Sequence, residues 1–330
     1  MASLFHLCNM KVYFFIPSLI ICLFTPSYSH SQSVLTPSEI YSLAERCSFE
    51  LLVNGRLEGT GFIVSKDGYA ITVLHALKEK AKLEIRSPQL GRLSVRHIGQ
   101  CRGDDSALLK LPCNEEGYPY FNIADSPPAP GDEIFLIGTP IFRNRVFING
   151  NVAGEKSVFE YYNQNYNEVI HVSAITAKGC SGGPWINQNG EVTGMQAANI
   201  TVGNVLQGIA SMIPPDRLAK LLERKETLAV PTLEMAVEGI WEQAPKTITT
   251  LPQGTRGLVI KQVLPKGVAA QKGIQDGDIL TKTNNHQFEE PSDFIQYLRY
   301  ENKMNKIQLE IMDSKSHQMK VVSITPKALL

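Results

Sequence analysis

From residue 48 to about residue 213 the apolar positions come in short runs, each closed by Gly, Asn, Asp or Pro. The main ones are "FELLV", "GTGFIVS", "YAITVL", "LEIRS", "LSVRHIG", "SALLKL", "EIFLIG", "EVIHV", "VTGMQAA" and "LQGIASMI". Their β-branched and aromatic content suits a pleated, half-buried surface. Ten or more such strands without long intervening helices predict an all-β barrel or sandwich pair. Helical spacing flanks this region on both sides. "PSEIYSLAER", 37–46, has Thr36 placed to cap it, Pro37 in the first turn and Glu39 after it. "PPDRLAKLLERK" puts Leu218, Leu221 and Leu222 on one face.

The pattern changes at "ETLAVPTLEMAVE", 226–238, which contains Pro231 and reads as a linker. Beyond it, strand-like runs ("GLVIKQVL", "GDILTKT", "KIQLEIM", "MKVVSIT") alternate with a small helix near "GVAAQ". A longer helix at "SDFIQYLRYE" has Ser292 as its expected cap, and about 90 residues of this kind make an independent α+β module. A length of 330 residues accommodates two such domains.

Charge adds an exclusion. With 32 basic and 32 acidic residues, the chain carries no basic footprint for nucleic acid. The N-terminus adds an address. Lys11 precedes the apolar run "VYFFIPSLIICLF", 13 residues long and followed by small polar residues with Ser-x-Ser pairs. That is the pattern of a cleavable secretory signal over 1–31, too short for the roughly 20 residues of a membrane span, and it places the mature chain in the periplasm or outside the cell. Four cysteines remain after it: Cys47, Cys101, Cys113 and Cys180. The extended run "SALLKL" separates Cys101 from Cys113 by more than a disulfide can span, so Cys47 with one of those two is the better pairing. His286 and His317 stand in polar turns without ligand spacing, so no metal is expected, nor any other cofactor.

The chemistry concentrates in "TAKGCSGGPWIN", 176–187, where Gly179, Gly182 and Gly183 surround Cys180 and Ser181. A serine hydroxyl needs a base to take its proton and donors waiting where negative charge develops. In G-x-S-G-G the first glycine can adopt a backbone conformation barred to other residues, so that its N–H and the serine's own converge on one oxygen. Upstream, "GYAITVLHAL" places His75 just after an apolar strand, and "GDDSALLKL" places Asp105 just before another, with Asp104 as a turn residue. The order His, Asp, Ser on an all-β chain is that of chymotrypsin-type double barrels. Cys180 is the rival nucleophile, but the glycine frame fits Ser181 better.

On these segments the chain resembles the HtrA (Deg) family over residues 37–326. "GTGFIVSKDGYAITVLHAL" is similar to the family's histidine segment and "IGQCRGDDSALLKL" to its aspartate segment. "ADSPPAPGDEIFLIGTP" and "KGCSGGPWIN" are similar to the strand and nucleophile loop that follow. The resemblance implies a mostly β chain: a chymotrypsin-like double β-barrel serine protease domain over 37–225 and a C-terminal α+β PDZ domain over 239–326. It implies Ser181 as nucleophile, His75 as general base and acid, Asp105 as its orienter, and the N–H groups of Gly179 and Ser181 as oxyanion hole. Cys180, Ser173 and the short loop "NGR" depart from the family pattern. "EYYNQNYNE", 160–168, falls at the family's sensor loop, with its tyrosines facing either a partner subunit or domain, or solvent. Ile209 and Ala210 would line a primary specificity pocket that lacks an acidic residue, hence cleavage of unfolded or exposed polypeptides after small or medium aliphatic residues. "RGLVI" resembles a carboxylate-binding loop in which Gly257, Leu258 and Val259 receive a C-terminal peptide that adds as a strand beside "LVIKQV". A homo-oligomer, a trimer by resemblance, completes the expectation. The alternative is a catalytically inactive protease-like PDZ scaffold or chaperone.

Overall fold

The computed structural model describes residues 34–154 and 157–330. The expected signal segment therefore lies outside the described residues. Helix α1, Pro37–Cys47, begins as its sequence implies: the Thr36 hydroxyl accepts the Glu39 N–H while the Glu39 carboxylate accepts the Thr36 N–H.

Seven strands follow: β1 Ser48–Val53, β2 Arg56–Ile63, β3 Tyr69–Val73, β4 Leu83–Ser87, β5 Gly91–Ser94, β6 Arg96–Cys101 and β7 Ser106–Lys110. They pair in the order β5-β4-β1-β2-β3-β7-β6. The β1–β2 loop is the two-residue turn Asn54-Gly55, both at positive φ, which matches the twist of its flanking strands. The run "LSVRHIG" bends at Val95, whose N–H donates to Leu83 O, so β5 and β6 act as one kinked strand. It pairs with β4 at one end and β7 at the other, closing the sheet into a barrel.

The second sheet comprises β8 Glu133–Gly138, β9 Val146–Val152, β10 Val158–Tyr162, β11 Asn165–Ser173, β12 Pro184–Ile186, β13 Val192–Val202 and β14 Val205–Ile213. Its order is β10-β11-β14-β13-β12-β8-β9, and β9 also pairs with β11 through Val172 and Val152. That extra pairing closes six strands into a second barrel and leaves β10 outside it as one arm of a hairpin. Ile134, Leu136, Val172, Trp185 and Met212 fill its interior. Helix α2, Pro215–Arg224, caps the region with Leu218 and Leu221 buried and Leu222 at the edge of the core.

The segment expected as a linker is structured. Leu228 bonds Gln100 O, and β15, Val230–Thr232, pairs with the C-terminal β21, Lys327–Leu329. The second domain starts within that segment, at β16, Ala236–Gly239. It continues through the short helix α3, Pro245–Thr250, β17 Leu258–Lys261, β18 Ile279–Thr283, α4 Pro291–Gln296, β19 Ile307–Met312 and β20 Met319–Ile324. The sheet order is β16-β17-β18-β19-β20. Near "GVAAQ" only a single 3₁₀ turn forms, Ala270–Lys272, and α4 runs on into a π-helical turn, Tyr297–Asn302.

Ser292 does not cap α4. Glu290 occupies the cap position, and the Ser292 hydroxyl instead accepts the Phe159 N–H from β10. The disulfide expectation is also overturned. Cys47, Cys101, Cys113 and Cys180 are all free thiols, three of them buried. Burial holds Cys47 as a small core residue, and the Cys101 thiol donates to Asp104 rather than bonding another sulfur.

Candidate active site

His75 sits in a single 3₁₀ turn, Leu74–Ala76, at the end of β3. Asp105 stands just before β7, in the left-handed region at φ 44°. Antiparallel pairing of β3 with β7 brings the two ends together. The Leu74 N–H donates to Asp105 O, the His75 N–H to Asp105 Oδ1 at 2.9 Å, and His75 Nδ1 lies 2.6 Å from Asp105 Oδ2. The carboxylate is buried while the imidazole keeps about a third of its surface exposed. With Nδ1 committed to Asp105, Nε2 is the nitrogen left for outside chemistry. Burial pulls the His75 pKa down, but the hydrogen bond and charge of Asp105 outweigh it and hold the imidazole above its ordinary range.

The glycine-framed turn is fixed from three sides. Thr60 receives it on β2, with its hydroxyl donating to Gly179 O and its N–H to Ser181 O, each at 2.8 Å. On the other flank Gly182 N–H donates to Gln196 O and the Gln196 N–H to Gly183 O. Lys178 O accepts the Ile141 N–H at 2.8 Å, which turns the Gly179 N–H of the same planar peptide the opposite way. Cys180 N–H donates to Ala177 O, whereas the N–H groups of Gly179 and Ser181 have no acceptor among the described residues. Two free donors flanking a partly exposed hydroxyl form a cradle for a developing oxyanion. Gly179 holds φ at +104°, and a Cβ there would lie 2.1 Å from Thr139 O. The backbone needed at this point excludes a side chain.

The two loops abut across Gly59. A Cβ on that residue would be 2.9 Å from Ser181 O and 3.8 Å from the Ala76 Cβ. The Ser181 hydroxyl is not hydrogen-bonded to His75, however. It donates to Ala197 O at 3.3 Å. The structure thus joins His75 to Asp105 and places Ser181 in the facing loop with its hydroxyl on a backbone carbonyl. Catalytic hydrogen bonds in free enzymes are often unformed and tighten only with substrate.

Cys180 is fully buried, faces Gly138 and the core of the second barrel, and has its thiol pKa raised by burial. That environment suits a packing residue and disfavours a thiolate. Ala210 is likewise fully buried, among Val172, Trp185 and Met212, so it belongs to the barrel core rather than to a pocket wall. Ile209, pointing the other way along β14, remains partly exposed. A cleft of about 670 Å³ opens on the far side of the imidazole, reaching Asp105 and lined by Lys78, His97, Arg102 and Tyr162 among others.

In the second domain the expected peptide site needs correction. Gly257, Leu258 and Val259 lead into β17, an interior strand whose residues Leu258 and Val259 pair with β16 on one side and β18 on the other. With both edges taken, no peptide strand can add there. The edge strand on that side is β16, and it is already engaged: Val237 N–H donates to the Tyr166 hydroxyl at 2.7 Å, and that hydroxyl donates to Val237 O at 3.0 Å. Tyr166 belongs to the β10–β11 hairpin, turned by Asn163 and Gln164 at positive φ. With Phe159 it packs among Leu233 and Met235, just before β16, and Phe294 and Leu298 of the second domain. Of the three tyrosines in that segment, Tyr161 and Tyr166 pack on the neighbouring domain, one of the alternatives its sequence left open, while Tyr162 packs on the core of the peptidase domain. Sequence inspection missed Thr60, Ala197 and Arg299. The first two act through backbone or a single hydroxyl, and the last through a contact nearly 200 residues away.

Residues 59–195 match the model of a trypsin-like peptidase domain, and residues 259–308 that of a PDZ domain. The chain is similar to "Serine protease HTRA1" of Xenopus laevis, 24% identical over 287 residues covering 82% of this chain and 60% of that one. It is also similar to "Probable periplasmic serine endoprotease DegP-like" of Pseudomonas putida, 26% identical over 230 residues covering 68% of this chain and 47% of that one. The chain thus spans at most about 60% of the length of these curated relatives. Among solved structures it superposes on "HtrA-type protease AlgW with decapeptide" with TM-score 0.65 and 18% identity, covering 90% of this chain and 99% of that one. A serine endoprotease from Yersinia pestis gives TM-score 0.61 at 20% identity, covering 89% and 98%. The chain thus joins a segment matching a trypsin-like peptidase domain to one matching a PDZ domain, and shares the fold of these solved proteases.

Proposed function

We propose that this chain, built on the HtrA-type plan of a trypsin-like peptidase domain followed by a PDZ domain, is an exported serine endopeptidase acting on unfolded or exposed polypeptides. The observation that carries the proposal is the buried Asp105 carboxylate on His75 Nδ1 opposite a serine whose own N–H and that of Gly179 lack acceptors. In this mechanism the Ser181 hydroxyl swings from Ala197 O to His75 Nε2 as substrate binds. His75 takes its proton while the oxygen attacks the scissile carbonyl, and Asp105 stabilises the imidazolium that results. The Gly179 and Ser181 N–H groups receive the oxyanion, and His75 then hands the proton to the departing amine. Ile209, with no acidic residue beside it on β14, favours small or medium aliphatic side chains before the cut. No metal or other cofactor takes part in this scheme.

In the PDZ domain, a C-terminal peptide pairs along β16 beside α4, displacing the Tyr166 hydroxyl from Val237. Assembly as a homo-oligomer, a trimer by family resemblance, belongs to the same proposal. One observation favours a second reading, an inactive protease-like scaffold: the resting Ser181 hydroxyl is bonded to Ala197 O and not to His75. Labelling with a fluorophosphonate probe separates the two. Wild type and Cys180→Ala are expected to label, and Ser181→Ala is expected not to. Absence of label in the wild type, with or without a C-terminal peptide, would leave the scaffold standing, and label lost only with Cys180 would reassign the nucleophile.

A further inference from the structure

The turn that presents Asp105 is held largely from the other domain. Arg299 lies in the π-helical turn that follows α4, and its side chain is 4% exposed. Its guanidinium donates to Asp104 Oδ1 at 3.3 Å, to Gly103 O at 3.1 Å and to Tyr166 O, and it stacks 5.0 Å from the Phe159 ring centroid. These partners belong to two separate pieces of the peptidase domain: the turn Arg102–Asp104 and the β10–β11 hairpin. The same turn is fastened to that hairpin by Asn165, whose amide donates to Arg102 O at 2.8 Å. Gly103 itself is pinned beneath β15, for a Cβ there would lie 2.4 Å from the Val230 side chain.

Asp104 is the immediate neighbour of the triad aspartate, and its carboxylate is 7% exposed. A buried carboxylate is tolerated only when paired, and leaving one without its partner costs far more than the pair itself contributes. The groups facing Asp104 are Arg299, the Cys101 thiol and, farther off, the Tyr162 and Tyr300 phenols, with Asp105 next in the chain. Arg299 is the one cation of that set, and lysine could not reproduce its planar fork across three acceptors.

We infer that Arg299 of the PDZ domain is a positioning residue for peptide-bond hydrolysis. It fixes the 102–104 turn so that Asp105 meets His75, and the His75–Asp105 pair is held in place only with the PDZ domain seated. The inference rests on the reading of Asp105 as triad aspartate. It assigns to one buried side chain a role distinct from generic domain docking, because the docking surface has a second polar cluster elsewhere. There Tyr300, one residue on, donates to Glu168 and accepts from Arg217 at 2.9 Å without touching the 102–104 turn.

The test compares Arg299→Met, Arg299→Lys and Tyr300→Phe in the full chain by casein hydrolysis and by the low-field proton resonance of the His75 Nδ1–H···Asp105 bond. Misplacing a catalytic group by about 1 Å costs on the order of 10²-fold. Arg299→Met is therefore expected to lower kcat about 100-fold with KM held within about threefold, Arg299→Lys to fall between, and Tyr300→Phe to keep both constants. The low-field resonance should vanish or broaden in Arg299→Met and persist in Tyr300→Phe. A kcat and resonance unchanged in Arg299→Met, or equal losses in Tyr300→Phe, would overturn the inference. Should Arg299→Met not fold, Arg299→Lys decides: wild-type kcat and resonance there overturn it equally. Absence of casein hydrolysis by the wild type defeats instead the protease reading, while the resonance still reports on Arg299 independently of turnover.

Discussion

Replacing Gly179 by alanine tests the oxyanion cradle most directly. The new methyl would lie 2.1 Å from Thr139 O and 3.0 Å from Thr139 C, inside any contact that real atoms make. The backbone angle of +104° adds a strain of about 1–3 kcal/mol for a residue with a side chain. Thr139 ends the run after β8 and is itself buried, so the glycine loop is the part that must yield. When it yields, the Gly179 N–H leaves the oxyanion position. Losing one such donor costs about 10²–10³ in kcat, or about 2.7–4 kcal/mol of transition-state stabilisation. Gly131→Ala is the matched control: its φ is +87°, but no atom lies within 4 Å of the added methyl. Steady-state hydrolysis of a fluorescent unfolded protein, read alongside thermal melting, should show both variants destabilised and only Gly179→Ala losing kcat. A Gly179→Ala enzyme that keeps kcat within about threefold of wild type would refute the assignment of that N–H.

Other expectations follow from the same geometry. His75 must be neutral to accept a proton, and Asp105 holds its pKa above the ordinary imidazole range, so kcat/KM should rise with pH through a midpoint above about 6.5. Asp105→Asn should move that midpoint down while cutting kcat by about 10⁴-fold, and a pH–rate profile of both proteins checks the sign. Cys180→Ala should retain fluorophosphonate labelling, because the buried thiol has its pKa raised and faces the barrel core; a mass spectrum of the labelled peptide locates the adduct. Tyr166→Phe strips both Val237 backbone groups of their partner at the β16 edge, and should lower stability by about 1–3 kcal/mol in chemical denaturation.

The features written into local spacing are the ones recognisable before folding. The Thr36–Glu39 capping box, the Asn54-Gly55 turn and the alternating runs of both barrels act over a few residues, so their residue types suffice to announce them. The same holds for the glycine frame of Ser181, whose function demands a backbone that only glycine tolerates. His75 and Asp105 were recognisable from position and order, and strand pairing then joined them. Folding alone decided the rest. Whether β17 or β16 offers a free edge depends on which neighbours each strand finds, and no periodicity records that. Nothing in the local sequence of Arg299 marks it, and the π-helical turn carries it against Asp104, nearly 200 residues earlier in the chain. Ser292, Tyr166 and Ala197 are of the same kind. Their roles arise where distant segments meet, and a contact between remote residues is set by the packing of everything between them.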